Sequence, residues 1–265
     1  MAIFRSLWIG KALSSVERLC IKSFLANGHE FELFVYEPVG RVPEGCRVLD
    51  AREILPESRV FTGKKEGFGK GTYAGFSDLF RYKMLFDRGG WWVDTDVVCL
   101  TREVPEPSIA LARQDPVTVN GAILRFPVAH PAMKFAYDTA TAEGTDFNWK
   151  RIGPRLLTQI VPAFGLERWL VPTQNYYPLD HRRFGAVFRP SKRDDMITRT
   201  AGATFLHLWT EMFRSVSYDK DCLPPAGSYL RELFDSCGME DEFECEYQIS
   251  EDGDKARLKR EPRPR

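Results

Sequence analysis

Residues 76–100 read FSDLFRYKMLFDRGGWWVDTDVVCL, and this stretch decides the fold prediction. Its first half predicts a helix over Phe76–Asp87 that ends at the glycine pair 89–90, because glycine readily adopts the backbone conformation that follows a helix. The apolar run 91–93 then predicts an interior β-strand that carries Asp94 and Asp96. A helix followed directly by a buried strand is the repeating step of an α/β domain.

Strands and helices also alternate in the first fifty residues. We predict β-strands at Ala2–Ile9, Phe31–Tyr36 and Arg47–Leu49, and a helix at Ser14–Asn27. Ser14 followed by Glu17 is typical of a capping box at the start of a helix. The order strand, helix, strand predicts a parallel sheet with right-handed crossovers.

The pattern continues beyond residue 100. We expect a hairpin over Val117–Phe126 that turns at Asn120 and Gly121, because these residue types tolerate positive φ. Further helices are predicted at 131–141, 154–164 and 229–236, and a late strand at 203–208. The predicted fold class is α/β, with a mostly parallel central sheet, flanking helices and a small antiparallel region.

The composition is that of a globular protein with balanced charge. The chain has 265 residues, 43% hydrophobic and 28% charged, and 37 Lys+Arg residues balance 37 Asp+Glu residues. A balanced charge gives no cationic footprint, so we expect no nucleic-acid partner. We predict one domain over residues 1–250, followed by a charged, proline-bearing tail at 251–265 that is disordered.

The cysteines and the apolar runs bear on the cellular compartment. No apolar stretch reaches the ~20 residues of a membrane span, so we expect no transmembrane segment. The six cysteines form no CxxC pair, which is typical of free thiols in a reducing environment. We therefore expect a cytoplasmic protein, with peripheral attachment to the inner membrane left open, and the sequence leaves the oligomeric state open.

Asp-x-Asp occurs three times, at 94/96, 219/221 and 252/254, and only the first pair follows a buried strand. Residues i and i+2 of a strand share a face, so Asp94 and Asp96 should stand side by side. Two adjacent carboxylates repel, and a divalent ion such as Mg²⁺ or Mn²⁺ would compensate them. The alternative is a pair of exposed aspartates bound to Lys or Arg.

Four other side chains are candidates for the same site. Asp78 and Arg81 share a helix face, and the alternative for them is an ordinary surface ion pair. Trp8 ends the first strand, at the sheet edge where α/β folds bind ligands and where an indole can stack on a base; the alternative is a half-buried core position. His207 ends the late strand as a metal ligand or phosphate donor, unless it is a core histidine.

The segment Thr62–Gly75 contains five glycines and several lysines. This composition is typical of a mobile loop, and it precedes the helix that carries Asp78 and Arg81. We expect the loop to close over a bound ligand.

Five blocks of the chain, in order from about residue 7 to residue 213, resemble the DXD-containing sugar-binding glycosyltransferases of bacteria and fungi. That family includes relatives of the α-1,4-galactosyltransferases and the initiating mannosyltransferases. SDLFRY and DTD are also similar to the catalytic domain of the large clostridial glucosylating toxins. The blocks are SLWIGKALSSVERLCIKSFLANGHEFELFVYE, YAGFSDLFRYKMLFDRGGWWVDTDVVCL, NGAILRFPVAHP, GPRLLT and FLHLWTEMF.

The resemblance implies a GT-A fold, a nucleotide-sugar donor that is usually linked to UDP, a divalent metal (Mn²⁺ or Mg²⁺) and retention of anomeric configuration. It implies that Trp8, with Ile9 beside it, contacts the uracil. Asp78 would then bind the donor sugar, and Arg81 would reach the sugar or the diphosphate.

The remaining roles also follow from the resemblance. Asp94 would contact ribose or sugar, Asp96 would coordinate the metal, and His207 would contact the metal or the diphosphate. Trp209 would lie in a loop over the donor, and Asn120 and Gly153 near the donor sugar or the acceptor. The sequence departs from the family in its two tryptophans at 91–92 and in NGA where NNA is frequent, and these departures bear mostly on the acceptor side.

The predicted function is metal-dependent, retaining transfer of a sugar from a UDP-sugar to a glycan, glycolipid or other hydroxyl acceptor. One alternative is a catalytically inactive nucleotide-sugar-binding protein. The other is a glycosidase that uses Asp94 and Asp96 as its two acids, although neighbouring residues on one face usually lie too close together for that role. The sequence does not choose the sugar or the acceptor.

Overall fold

The computed structural model describes residues 1–63, 70–144, 151–252 and 255–263. The strands are β1 (Ile3–Trp8), β2 (Glu30–Val35), β3 (Arg47–Asp50), β4 (Gly90–Val93), β5 (Val97–Cys99), β6 (Ala110–Arg113), β7 (Val119–Phe126), β8 (Leu170–Val171), β9 (Phe205–His207), β10 (Cys245–Asp252) and β11 (Lys255–Pro262). The α-helices are α1 (Ser15–Ala26), α2 (Ala74–Arg88), α3 (Pro131–Ala142), α4 (Pro154–Ala163), α5 (Thr173–Tyr176), α6 (Arg193–Thr200), α7 (Thr210–Phe213) and α8 (Tyr229–Ser236).

Seven strands form the central sheet, in the order β3-β2-β1-β4-β7-β6-β8. Only β7 runs antiparallel to its neighbours within this sheet, and the other neighbouring pairs are parallel. Two small antiparallel sheets, β5-β9 and β10-β11, accompany it. The predicted α/β class, with a mostly parallel sheet and a small antiparallel region, is therefore confirmed.

The two tryptophans of β4 show how the sheet is buried on both faces. Successive strand residues point to opposite faces, so Trp91 joins the apolar cluster that contains α1, and Trp92 joins the cluster that contains α2, α3 and α4. Both indoles are only 1% exposed. A strand covered on both faces needs continuous apolar residues, which is why this run has no polar alternation.

The sequence signals for helix ends agree with the structure at the start of α1 and at the end of α2. The predicted capping box at Ser14 and Glu17 is present at the start of α1. Helix α2 begins two residues earlier than predicted and ends at Gly89, whose φ is +59°. A Cβ at Gly89 would lie 2.6 Å from the Val128 nitrogen, so this position excludes side chains sterically as well as conformationally.

The strand order places a topological switch point between β1 and β4. From β1 the chain builds outward through β2 and β3, whereas β4 pairs with the other side of β1. In open α/β sheets, ligands bind at the carboxyl ends of the strands at such a point. Trp8 ends β1 and Asp94 directly follows β4, so both predicted residues lie at this edge.

The predicted hairpin turn at Asn120 and Gly121 is wrong. Both residues lie inside β7, where Asn120 stands opposite Ala112 of β6. The turn spans residues 114–118 instead, and the Asp115 carboxylate holds it by accepting hydrogen bonds from the Val117 and Thr118 amides. An Asp side chain that binds the backbone two residues later makes a turn without positive φ, so it competes with the Asn-Gly signal.

The predicted disorder of residues 251–265 is wrong for residues 255–262. These form β11, which pairs in antiparallel register with β10 over eight residue pairs. Alternating apolar residues explain this, because Leu258 stands opposite Ile249 and the neighbouring Tyr247 is buried. The single-domain boundary at residue 250 remains a prediction.

Two further expectations concern location and the loop at 62–75. Within the described ranges, no helix combines the length and apolar character needed to cross a lipid bilayer. All six cysteines are free, and Cys20 and Cys99 are buried, as expected. Residues 64–69 lie outside the described residues, so closure of the loop Thr62–Gly75 remains a prediction.

His29, which sits in a turn context in the sequence, is 5% exposed and belongs to the packed interior. Its Nδ1 accepts a hydrogen bond from the Ala2 amide at 3.4 Å, and its Nε2 lies 3.3 Å from the Thr101 carbonyl. These partners suit a neutral ring that donates from Nε2. Burial lowers the pKa of His29 below its usual value, although the bond to Thr101 opposes this.

We expect His29→Gln to flatten the pH dependence of stability between pH 7 and pH 5. A histidine whose pKa is lowered by folding binds its proton more readily in the unfolded chain, so its contribution is present above the unfolded pKa of about 6.5 and is lost as the pH falls. Urea unfolding at both pH values measures this. An equally steep loss in the variant would contradict the assignment.

Candidate active site

The Asp-Thr-Asp motif forms a turn between two strands, and does not continue one strand as predicted. The Asp94 amide donates to the Ala122 carbonyl at 2.8 Å, which ends the pairing of β4 with β7. The Val97 amide then donates to the Asp94 carbonyl, and β5 leaves for a separate sheet with β9. The turn, and not the two-residue strand period, brings the two carboxylates together.

The Asp96 carboxylate is bound at both oxygens. Oδ1 lies 3.0 Å from Nε2 of His207, and Oδ2 accepts hydrogen bonds from the Thr210 amide and hydroxyl at 3.0 and 3.1 Å. These bonds depend on the pairing of Val97 with His207 across β5 and β9. The late strand therefore delivers its histidine to the motif across 111 residues of sequence.

Trp209 makes the bend that allows Thr210 to reach Asp96. Its φ of +59° is left-handed, a conformation that costs a non-glycine residue about 1–3 kcal/mol. Its indole packs against His207 with ring centroids 4.0 Å apart and the rings tilted by 47°, and the indole N–H donates to the Leu179 carbonyl. Trp209 is 9% exposed and lies between β9 and α7, and its predicted place over a bound donor stays a prediction.

Arg81 joins the two acidic segments from inside the protein. Its Nη2 lies 3.1 Å from Asp94 Oδ1 and 3.4 Å from Asp78 Oδ1. Asp78 is 5% exposed and Arg81 6% exposed. The alternative of an ordinary surface ion pair is therefore wrong, because these charges are removed from water and must compensate each other.

Asp94 receives a second donor from its own strand. The Trp92 indole N–H donates to Asp94 Oδ1 at 2.8 Å. The guanidinium carbon of Arg81 also lies 5.2 Å from the centre of the Trp92 ring, within range of a cation–π contact. Trp92, one of the two tryptophans at which the sequence departs from the family that it resembles, thus touches both charged partners.

The environment moves the two motif aspartates in opposite directions. Burial raises the pKa of Asp94, and Asp96 adds to this while Arg81 opposes it; 28% of the Asp94 side chain remains exposed, which moderates the increase. Burial also acts on Asp96, but His207 and the bonds from Thr210 outweigh it, so its pKa lies below the usual value. Asp96 therefore stays ionised and available to a cation.

Burial also raises the pKa of Asp78, to about 7, although the nearby Arg81 guanidinium lowers it and Asp94 raises it further. The carboxyl therefore titrates near neutral pH in the absence of a ligand. A carboxyl group poised in this way can either accept a hydrogen bond from a ligand hydroxyl or donate one to it.

Asp94, Asp96 and His207 form a group that could hold a cation, with one ligand atom from each residue lying within 4.8 Å of the others. The 3.0 Å between His207 Nε2 and Asp96 Oδ1 is a hydrogen-bond distance, so a cation held by both atoms would take the place of the proton between them. His207 Nδ1 is buried without a hydrogen-bond partner among the described residues. Carboxylate oxygens suit Mn²⁺ and Mg²⁺, and an imidazole ligand favours the transition-metal ion Mn²⁺ of these two.

The other predicted residues differ in burial and in the groups that they contact. Trp8 is half-buried, and its indole N–H has no hydrogen-bond partner in the described part of the chain. Trp8 packs against the apolar cluster that contains α1, and Ile9 packs against the cluster that contains α2, α3 and α4. Asn120 is 8% exposed, and its amide binds Gln114 and the Ala122 backbone. Gly153 precedes α4 as its N-cap residue.

Sequence reasoning missed four contributors: Ser77, Trp92, Gly121 and Thr210. The Ser77 carbonyl and hydroxyl accept hydrogen bonds from the Arg81 guanidinium, and the Thr210 amide donates a hydrogen bond to the Asp96 carboxylate. Two of the four carried a usable signal, because Trp92 precedes Asp94 by two residues and Gly121 follows Asn120 in the NGA block. Thr210 carried none, since its role depends on the bend at Trp209.

Residues 15–110 match the family model described as glycosyltransferase sugar-binding region containing DXD motif. The match confirms the predicted resemblance to the DXD-containing glycosyltransferases over this part of the chain. The matched segment contains Asp78, Arg81, Asp94 and Asp96. No curated protein matches the sequence.

Solved glycosyltransferase structures resemble this fold distantly. The PaToxG glycosyltransferase is 14% identical, with 63% of this chain and 71% of that chain covered and a TM-score of 0.48. The apo form of GlyE from Streptococcus pneumoniae TIGR4 is 12% identical, with 91% of this chain covered and a TM-score of 0.43. The match spans 60% of the length of GlyE. The galactosyltransferase LgtC, solved in complex with donor and acceptor sugar analogs, is 9% identical, with 77% of this chain and 86% of that chain covered and a TM-score of 0.40.

Proposed function

We propose that the chain transfers a sugar from a UDP-sugar to a hydroxyl group of a glycan or glycolipid, with a divalent cation and with retention of anomeric configuration. The observation that carries the proposal is the meeting of Asp94, Asp96 and His207 at the switch point of the sheet. Trp8 lies at the end of the neighbouring strand, where its half-buried indole is available to a base. The free thiols of the six cysteines support a cytoplasmic site of action.

Asp96 and His207 would hold the cation, and Asp94 would stand beside it. A Mn²⁺ or Mg²⁺ ion bound there supplies a Lewis acid for the diphosphate. Arg81 contributes a fixed positive charge that is already desolvated and oriented by Asp78 and Asp94. Such preorganised charge stabilises the developing charge on a leaving group without reorganisation cost.

The state of the carboxylates supports transfer on the face from which the diphosphate departs. Asp94 is bound by Arg81 and Trp92, and Asp96 by His207 and Thr210. Neither is free to attack the anomeric carbon. In the proposed step the acceptor oxygen forms the new bond to the anomeric carbon, the bond from that carbon to the phosphate oxygen breaks, and the released phosphate oxygen takes the acceptor proton.

A glycosidase that uses Asp94 and Asp96 as its acid pair is disfavoured by the side that the two carboxylates share. The acid pair of a glycosidase flanks the scissile bond. Here one oxygen of each carboxylate lies within 4.8 Å of a ring nitrogen of His207. Because both carboxylates converge on the same histidine, they suit one cation better than two faces of one bond.

Thermal shift followed by turnover tests the proposal. UDP-glucose, UDP-galactose, UDP-N-acetylglucosamine and GDP-mannose are each added with and without Mn²⁺. We expect one UDP-sugar at about 100 times its Kd to raise Tm by roughly 5–10 °C with Mn²⁺ and far less without it. That sugar should also release UDP. Binding without any release would favour the inactive binding protein, and no shift with any donor would contradict the proposal.

We expect Trp8→Ala to weaken UDP binding by about tenfold, because base stacking on an indole contributes about 1–3 kcal/mol. Trp8→Phe, which keeps an aromatic face, should retain most of the affinity. Calorimetric titration with UDP and Mn²⁺ measures both variants. Equal affinity in the wild type and Trp8→Ala would remove Trp8 from the base site.

A further inference from the structure

The Arg81 guanidinium fills a narrow slot that is bordered by two residues. Its Cζ lies 5.2 Å from the centre of the Trp92 ring. Gly121 borders it as well, since a Cβ there would lie 2.5 Å from Arg81 Nη1 and 3.1 Å from Leu157 Cδ1. Real Cβ atoms essentially never approach another heavy atom within 3.0 Å. The slot therefore accepts glycine alone at position 121 while Arg81 keeps this position.

The two residues that border the slot lie in different surroundings. Gly121 lies inside β7 directly after Asn120, which pairs with Ala112 of β6; the register of that pairing shifts beyond this point, and the pairing with β4 begins at Ile123. Its φ is not positive, so the requirement for glycine here is spatial and not conformational. Trp92 is 1% exposed, packs against Phe80 and belongs to the same core cluster as Leu157. Close-packed surroundings of this kind transmit a displacement and do not absorb it.

The guanidinium itself is fixed on its remaining sides. Nε and Nη2 donate to the Ser77 carbonyl and hydroxyl, and Nη2 also faces Asp78 and Asp94. A Cβ at Gly121 would press on Nη1, at the opposite end of the planar fork. The only relief is rotation or withdrawal of the whole group, which would break its alignment with Asp94.

We propose that Gly121 and Trp92 are positioning residues that hold the Arg81 fork in the orientation needed at the donor diphosphate. This inference rests on the proposed function for its catalytic consequence, but its geometric content stands on the slot alone. A misplacement of about 1 Å in a preorganised group can cost on the order of a hundredfold in rate. Position 121 in the NGA block is then glycine because Arg81 needs the space, and not because a turn needs a positive φ.

The central test is a double-mutant cycle with Gly121→Ala and Arg81→Lys. Lysine keeps the charge and has no atom equivalent to Nη1, so it leaves room for the added methyl group. Gly121→Ala should lower kcat for the UDP-sugar by about ten- to a hundredfold while KM changes less than about threefold, because the affected charge develops as the bond breaks. In the Arg81→Lys background the same change should lower kcat less than about twofold.

Unfolding equilibria provide a second cycle that does not depend on activity. Gly121→Ala should raise the unfolding constant about tenfold or more in the wild-type background and only slightly in the Arg81→Lys background. Gly185→Ala is the matched control, because a Cβ there meets nothing within 4 Å and its φ is not positive. Equal effects of Gly121→Ala in both backgrounds would overturn the inference. A coupled unfolding cycle without UDP-sugar turnover would uphold the slot and contradict the proposed function instead.

Discussion

Asp96→Asn should lower UDP-sugar turnover by about a thousandfold or more and abolish the rise in Tm that Mn²⁺ produces. The amide is nearly the same size, and its oxygen can still accept both hydrogen bonds from Thr210 while its NH₂ faces His207. The fold is therefore kept, and the negative charge is lost. Because the pKa of Asp96 lies below its usual value, the wild-type carboxylate is ionised throughout the assay range.

The sequence offers its own control for this variant. Asp219 begins a second Asp-x-Asp, but its carboxylate accepts from the Asp221 amide and pairs with Arg260, away from the proposed site. Asp219→Asn should leave turnover and the Mn²⁺ response within about twofold of the wild type. If Asp96→Asn retained the Mn²⁺ shift, the cation would have to lie elsewhere. A full loss of activity with the shift retained would indicate a role in chemistry other than metal binding.

The sequence predicted the sheet and the residues at its edge because those depend on local patterns. Apolar periodicity located β1, β2, β4, α1 and α2, and the Asp-x-Asp context placed Asp94 and Asp96 beside Trp8 at one edge. Caps and glycine stops are also local, and they held at the start of α1 and at Gly89. These features require no knowledge of what packs against them.

The parts that failed depend on partners distant in sequence. Asn-Gly at 120–121 carries a strong local turn signal, yet the pairing of Asn120 with Ala112 of β6 keeps it in β7, where Gly121 lies against the buried Arg81. His29 looks like a turn residue until Ala2 and Thr101 enclose it. The short strands β5 and β9 are stable only as a pair, and that pair sets the contact of His207 with Asp96.

Arg81→Met should lower the free energy of unfolding by about 3–5 kcal/mol at pH 8, the usual cost of removing one partner from a buried charge pair. Methionine fills most of the volume, so the loss reports on charge and not on a cavity. Asp78 and Asp94 would be left without the Arg81 guanidinium as their counter-charge, in a site where burial already raises the pKa of both. Urea unfolding followed by circular dichroism measures the change.

The dependence of this loss on pH distinguishes a charge effect from lost packing. A carboxyl whose pKa is raised by folding binds more protons in the native state than in the unfolded chain, so its contribution to stability increases as the pH falls from the folded pKa towards about 4. Without Arg81 the pKa values of Asp78 and Asp94 rise further, and the deficit of the variant should therefore be clearly smaller at pH 5.5 than at pH 8. Arg88→Met is the control on the same helix: Arg88 pairs with Glu53 at the surface, and its loss should cost less than about 1 kcal/mol at either pH. A deficit for Arg81→Met that is equal at both pH values would mean that Arg81 contributes through packing, and the buried carboxylates would then not need it as their counter-charge.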